Sequence, residues 1–302
     1  EGNTYIVEVN HTAYIHTKGI INASGVHSDT IAAYLETPPF KIIPRRGEYF
    51  VLDHSVAAYL NHVIYPIPTK AGKGVILTPQ VHGNILIGPN AEIVADKEAI
   101  ETTQQGLAYV KEKALTQLKD IPFHANIRTF SGIRASSDYE DFYIKESIHK
   151  NVYHLGGIDS PGLTAAPAIA LYLIDLIKVS QPLTQKEVFK PLNIEKKPFK
   201  ELNTEEKQAL IFKQPTHGRI VCKCECVTEQ DIIDVIHSKL GIQSIKGIKK
   251  HTRAGSGLCQ GGYCESKIVK LIATHTNKPM TAVDYYEENT PILYKETKVK
   301  IG

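Results

Sequence analysis

All five cysteines of this chain lie between positions 222 and 264, as Cys222, Cys224, Cys226, Cys259 and Cys264, and none occurs in the first 221 residues. An odd number of thiols gathered into one short stretch is not the pattern of a secreted domain stapled by disulfides. It reads as a metal or redox centre kept in a reducing compartment, here expected to be the cytoplasm. The distribution also divides the chain. A compact cysteine unit over 217–275 follows a larger region that uses no sulfur chemistry.

Composition narrows the classes. Hydrophobic residues make up 42% and charged residues 22%, with 21 glycines and 16 prolines in 302 positions, which excludes collagen, coiled coil and wholesale disorder. The net charge of +3 comes without any block of like charges, so no nucleic-acid partner is expected. The most apolar run, Ala165 to Ile177, contains Asp175. It is shorter than the roughly 18 residues of a membrane helix, so no transmembrane segment is expected. The single methionine is Met280, and the first residue, Glu1, opens a strand-like sequence with no signal-peptide pattern. The chain is therefore expected to be a fragment that lacks an N-terminal portion.

Residues 4–9 and 13–22 are rich in β-branched and aromatic side chains and predict strands, broken by Ala23-Ser-Gly25 and followed by a short helix over 27–35. Short apolar runs at 48–52, 62–67, 74–78 and 84–87, punctuated by Gly and Pro, have antiparallel-sheet texture, and 98–118 has helical spacing. Further strands are expected at 127–133, 141–146 and 151–155. A glycine-rich loop then opens a helix whose Ile169, Leu173, Leu176 and Ile177 fall on one face. Residues 181–216, polar and aperiodic, read as a linker, and 276–302 as a C-terminal tail.

Within the cysteine unit, Cys222 and Cys224 are separated by one residue, and Cys259 and Cys264 by four. Two such pairs supply four soft ligands, which select zinc, copper(I) or iron–sulfur clusters. Zinc knuckles usually place two residues between paired cysteines, whereas gaps of one and four suit the less symmetric demands of a [2Fe–2S] rhomb. Zinc in place of the cluster stays open as the alternative. Gly255, Gly257, Gly261 and Gly262 let backbone N–H groups turn toward the sulfurs. Thr228 to Asp231 reads as a capping box opening a helix through His237, and 265–273 reads as another helix. Cys226 is the spare thiol. Residues 220–232 together with 252–264 resemble the bacterioferritin-associated-ferredoxin-like [2Fe–2S] domain. In that family a Cys-x-Cys and a Cys-x4-Cys hold the cluster, which implies Cys222, Cys224, Cys259 and Cys264 here.

The larger region carries weaker signals that gain meaning together. A strand ending in Ala23-Ser-Gly25 brings small residues to a point where backbone can approach a flat ligand, or simply turn. Gly156-Gly-Ile-Asp159-Ser-Pro-Gly162 opens a helix whose free N–H groups suit an anion, as those of any helix start would. With Pro44-Arg-Arg-Gly-Glu-Tyr49, Gly83 to Glu92 and Phe130-Ser-Gly-Ile-Arg134, these segments resemble, in order and spacing, the FAD-dependent oxidoreductases of the D-amino-acid-oxidase-like superfamily. Within it the resemblance points to anaerobic-type glycerol-3-phosphate dehydrogenases, which also carry an appended cysteine-cluster domain. The family's Gly-x-Gly-x-x-Gly loop has no counterpart here, and Gly255-Ser-Gly257 is a decoy inside the cysteine motif.

The resemblance implies that Ala23 and Gly25 lie against FAD, and that Gly157, Asp159, Ser160, Gly162, Leu163 and Thr164 surround the flavin's pyrimidine edge. It implies that Arg134 holds the substrate's anionic group, for which a planar guanidinium fork is suited. Arg46 is a second candidate anion ligand, or a solvated surface arginine. No histidine is assigned a catalytic role. The fold class expected is mixed α+β and α/β: a partial FAD-binding domain with an antiparallel-sheet substrate domain over 1–180, and a small helical [2Fe–2S] domain. The implied activity is oxidation of a small anionic hydroxy substrate, glycerol 3-phosphate first and a 2-hydroxyglutarate-type acid second, since Ile64-Tyr-Pro-Ile-Pro68 also resembles hydroxyglutarate oxidoreductases. Electrons would leave through the cluster to a redox partner protein or quinone-linked acceptor, which would place the protein at a membrane periphery. A non-catalytic electron-transfer or interaction module is the alternative of a different class.

Overall fold

The computed structural model describes residues 4–67, 74–189 and 197–295. Pro68 of the Ile64–Pro68 segment lies outside them. The chain divides into two units, Glu1–Phe189 and Lys190–Gly302.

The first unit opens with a hairpin, β1 (Tyr5–Val9) against β2 (Ala13–Thr17). The single strand expected over 13–22 is thus two. Lys18-Gly19 interrupts it, and β3 (Ile20–Asn22) joins a different sheet. After β3 come a 3-10 turn at Gly25–His27 and the short helix α1 (Ser28–Ala33). The main sheet is built around β4 (Ile42–Leu52), with β5 (Ile76–Pro79), β6 (Ile85–Gly88) and β7 (Glu92–Ile93). Helix α2 (Gln104–Gln117) packs on this sheet, and its Val110 and Ala114 share a core with Leu52, Leu77, Ile85 and Ile87.

Strand β8 (Asn126–Ser137) pairs antiparallel with β4 along almost its whole length, from Ile42 opposite Ser137 to Leu52 opposite Asn126. The second sheet is mixed: β10 (Val152–Gly156) lies between β9 (Tyr143–Glu146), antiparallel, and β3, parallel. Helix α3 (Gly162–Ser180) covers it, burying Ile169 and Leu173 against Tyr153 and Leu155, with Leu176 and Ile177 partly buried beside them. At 19 residues and a mean hydropathy of 1.6, α3 is long and apolar enough to cross a membrane by length and composition. That corrects the expectation that no such run exists: the small residues flanking Ala165–Ile177 extend the apolar stretch, and Asp175 and Lys178 interrupt it only late.

The second unit corrects two boundaries. Residues 181–216, expected to be a linker, contain α4 (Thr204–Lys213), opened by a capping box between Asn203 and Glu206. On either side of it, Phe199 stacks on His217, and Thr216 donates to Gln230, so residues 197–216 belong to the cysteine unit, while 181–189 belong to the first unit and 190–196 lie outside the described residues. Helix α4 buries no residue, which is why it carries no apolar periodicity to read. Residues 276–302, expected to be a tail, send Val283 into the core, and Lys246 N–H donates to the Tyr285 carbonyl.

Between these lie the hairpin β11 (Ile220–Cys222) and β12 (Val227–Thr228), then α5 (Glu229–Ile236), α6 (Ile245–Thr252) and α7 (Glu265–Thr276). The Thr228–Asp231 capping box is present, with both hydrogen bonds made. One core of Ile232, Ile236, Ile245, Ile248, Ile268 and Ile272 joins the three helices. Burying each such side chain contributes on the order of 1.5–3 kcal/mol.

Candidate functional site

Strand parity organises the first unit's site. Successive side chains of a strand point to opposite faces, so Arg46 and Glu48 leave β4 on one side and Arg45, Gly47 and Tyr49 on the other. Glu48 is fully buried and accepts from both the N–H and the hydroxyl of Thr103, the N-cap of α2. Arg46, its side chain only 6% exposed, is held by Glu48 at 3.4 Å, Glu92 at 2.7 Å, and Glu101. A hydrogen bond from Arg46 to Glu92 raises its pKa against the cost of burial. The expectation that Arg46 could hold a substrate anion is therefore corrected. Its guanidinium is ringed by three carboxylates, two of them hydrogen-bonded to its terminal nitrogens.

A cavity of about 650 Å³ beside this ladder takes Arg45, Tyr49, Arg134, Asp159 and Ser160 into its wall, and Glu92 and, from α2, Tyr109 close it. Arg134 of β8 stands directly opposite Arg45 of β4, Gly132 opposite Gly47, and Phe130 opposite Tyr49. The Tyr49 and Phe130 rings stack, with centroids 4.9 Å apart. The missing side chain at Gly47 makes room for the Arg134 guanidinium and for Pro89, and Gly132 stands open beside it. A Cβ on Gly47 would come 2.8 Å from Arg134 Nη2. Arg134 donates to the Asn90 carbonyl at 3.1 Å and, among the described residues, has no carboxylate partner. Arg45 was missed in the sequence. The signal was available: Arg46 shares a face with Glu48, two residues on, and the two neutralise each other, leaving Arg45 on the open face.

The residues assigned to a flavin gather at one sheet edge. Strands β3 and β10 run parallel with Asn22 beside His154, so the turns after both strands emerge together at their carboxyl ends. In open α/β sheets such ends are where ligands sit. Gly25 (φ +59°) and Gly157 (φ +66°) adopt left-handed backbone there. A Cβ on Gly157 would lie 2.4 Å from Ser137 Oγ. Ala23 and Gly25 are exposed at this edge. Asp159 accepts from Ser136 at 2.6 Å, which fixes the loop to β8, and its carbonyl accepts from Gly162 N–H. Pro161 precedes α3 without any side-chain cap, and Ser160, Leu163 and Thr164 face solvent. The start of this 19-residue helix has no side-chain cap, and it presents a positive dipole end to an anion although the Gly162 and Thr164 N–H groups are bonded to backbone carbonyls. These residues fit the electron-rich edge of a flavin ring.

Behind the loop, His154 is fully buried, with Nε2 2.9 Å from Glu36 Oε1, while Asn22 Nδ2 donates to its Nδ1. Burial works against the charge on Glu36, yet hydrogen bonds from Ser147, His154 and the Ile148 backbone outweigh it and hold the carboxyl below its ordinary range.

In the second unit the thiols form two pairs, each drawing one cysteine from either motif. Cys222 and Cys264 are buried and face each other, whereas Cys224 and Cys259 are exposed, their sulfurs 4.0 Å apart. Cys264 donating to Cys222 is the largest influence on Cys222. With N–H groups of Gly255 and Glu225 added, it overcomes burial and lowers that thiol to about 5, and Cys264 is pushed up in consequence. The Cys259 thiol is lowered first by the Tyr263 N–H and further by that of Gly261, against burial. Gly255 and Gly261 both have positive φ, at +85° and +96°, which turns those amides inward. Beneath the loop, Arg253 clamps Glu225 with two hydrogen bonds. Cys226 stands apart at φ +54°. Among the described residues, no group of three or more Cys, His, Asp or Glu is gathered closely enough for a single ion. A mononuclear zinc site needs all four sulfurs about 2.3 Å from one point. Two crosswise pairs of thiols with N–H groups of Gly255, Gly261 and Tyr263 turned toward them fit the ligand set of a binuclear cluster.

Residues 1–176 match the family model described as FAD dependent oxidoreductase, and residues 220–274 that of the BFD-like [2Fe-2S] binding domain. The chain is 38% identical to a glycerol 3-phosphate dehydrogenase of Caloramator mitchellensis over 98% of its own length and 62% of the relative's. It is 32% identical to a glycerol 3-phosphate oxidase of Mycoplasma genitalium over 58% of this chain and 47% of that one. Among solved structures, the dithionite-reduced L-α-glycerophosphate oxidase of Mycoplasma pneumoniae with FAD bound superposes at a TM-score of 0.57 and 32% identity, covering 62% of this chain and 49% of that one. The chain thus spans about half to three-fifths of these relatives.

Proposed function

This chain belongs to the family of FAD-dependent oxidoreductases and carries a BFD-like [2Fe–2S] domain, and from that premise we propose that it serves the oxidation of glycerol 3-phosphate, with electrons leaving through the cluster to a redox partner protein or quinone-linked acceptor. The observation that carries this reading is Arg134. Its guanidinium lies over Gly47, without a carboxylate partner among the described residues, on the same cavity wall as the Asp159–Ser160 loop.

Each group then has a role. Arg134 holds the anionic end of the substrate by charge-assisted hydrogen bonds, leaving the hydroxyl-bearing carbon toward the loop that opens α3. Gly157, Gly162 and the first turn of α3 receive the flavin edge, and Ser136 holds Asp159 in place behind it. Ala23 and Gly25 leave room at the neighbouring turn. Cys222, Cys224, Cys259 and Cys264 ligate the cluster. When bound, flavin supplies a two-electron acceptor and the cluster a one-electron carrier. The names of the similar dehydrogenase and oxidases support glycerol 3-phosphate as the substrate. Five free thiols support a reducing compartment, which we take to be the cytoplasm.

The test is anaerobic flavin bleaching of the flavin-loaded protein by a panel of glycerol 3-phosphate, 2-hydroxyglutarate and lactate. Rapid reduction by glycerol 3-phosphate alone is the expected result. Reduction only by 2-hydroxyglutarate would replace the substrate, and no reduction by any member would return the chain to a non-catalytic electron-transfer role.

A further inference from the structure

The register that sets Arg45 opposite Arg134 places two like charges side by side on one face of the β4–β8 ladder. Such a pair weakens a sheet unless an opposite charge lies between its members. Among the described residues neither arginine has a carboxylate partner. Arg46 shows how this chain neutralises a guanidinium it means to silence, with three acids around it. The acids on the cavity wall are already engaged, Glu92 by Arg46 and Asp159 by the Ser136 hydroxyl. Beside them Gly47 lies under the side chains of Arg134 and Pro89 while Gly132 is open, and the Tyr49–Phe130 stack follows along the ladder. The cavity thus holds two guanidinium groups without a carboxylate partner among the described residues, with an aromatic stack alongside.

We propose that Arg45 and Arg134 form a two-guanidinium clamp for a phosphate dianion, and that Arg45 is the specificity-determining residue that favours a phosphomonoester over a monocarboxylic hydroxy acid. This rests on the reading above, in which the cavity receives the substrate's anion. The chemistry follows from counting acceptors. One guanidinium fork satisfies the two oxygens of a carboxylate. A phosphate monoester presents three oxygens and a charge of about −1.5 to −2 at neutral pH, which leaves acceptors and charge for a second cation. Arg45 is surplus to a carboxylate and needed by a phosphate.

The experiment is calorimetric titration of inorganic phosphate, glycerol 3-phosphate and lactate into the protein and its Arg45→Gln, Arg45→Lys and Arg134→Ala variants, with kcat and KM measured in parallel. A charge-assisted hydrogen bond of ordinary strength corresponds to about 10- to 100-fold in affinity. Arg45→Gln is expected to lose that much for phosphate and glycerol 3-phosphate, with KM rising and kcat nearly unchanged, while lactate binding stays within about twofold. Arg45→Lys, which keeps the charge, is expected to recover part of the loss, and an unchanged melting curve excludes unfolding as its cause. Phosphate binding by Arg45→Gln equal to that of the parent, with Arg134→Ala defective, would overturn the clamp and leave the proposed function standing. Equal losses for lactate and phosphate would make Arg45 a general anion ligand and overturn its role in specificity. If the parent itself binds neither phosphate nor glycerol 3-phosphate, the proposed function falls, and the clamp with it.

Discussion

The two units of this protein build their sites in opposite ways. In the cysteine unit the paired thiols arrive in two short motifs, each on a tight loop beside a helix or hairpin, and backbone N–H groups of neighbouring glycines turn toward them. In the larger unit the site is drawn from β4, β8 and the β10–α3 loop, which are far apart in sequence and meet only through strand register. Spacing along the chain specifies a locally built site. A site assembled by a sheet is specified by parity, where a shift of one residue sends a side chain to the other face. Arg45 and Arg46 are adjacent in sequence, yet one lines a cavity and the other is buried among acids.

The largest effect that would sharpen this contrast is loss of the cluster. Replacing Cys264 by Ser should abolish iron and acid-labile sulfide in protein prepared without air, while Cys226→Ser should keep full occupancy. Cluster loss in the Cys226 variant with retention in the Cys264 variant would break the local-motif account. In the sheet-built site, Arg134→Ala should cost on the order of 2–5 kcal/mol in kcat/KM, carried by KM, with flavin content unchanged. Normal kinetics would remove Arg134 from the substrate site.

A smaller effect tests packing behind the flavin edge. A Cβ on Gly156 would fall 2.3 Å from the Phe40 ring, so Gly156→Ala should lower stability by roughly 1–3 kcal/mol, read as a reduced melting temperature while iron content is unaffected. The smallest expected effect is acid sensitivity. Because the folded carboxyl of Glu36 lies below its ordinary 4.5, it contributes stability above that pH and loses it as pH falls through the folded value. Glu36→Gln should therefore flatten the acid limb of the stability curve below about pH 4.5 and change little of its slope above it. An unchanged acid limb would show that the buried Glu36–His154 pair does not set it.

Legibility followed the same division. The capping box at Thr228 and the helix after Cys264 stand where local signals put them, whereas the strands expected over 48–52 and 127–133 extend to Ile42 and Ser137 and so take in Arg45 and Arg134. Helix α4 did not declare itself, because it buries no residue and so has no apolar stripe. Helix α6 has only eight residues, with Ile245 and Ile248 as its buried anchors among lysines and a glycine. Val283 looked like part of a tail because nothing nearby in sequence hints at the core it enters.

By itself, the sequence determined the cysteine frame, the glycines that turn amides toward it, and the glycine-rich loop that starts α3, because each rests on spacing or backbone freedom within a few residues. Only the tertiary structure decided which arginine faces the cavity, that thiols from the two motifs pair crosswise, and that Glu36, Asn22 and His154 lock together beneath the loop. Those outcomes depend on register and burial between distant segments, and such contacts form only once the chain has closed on itself.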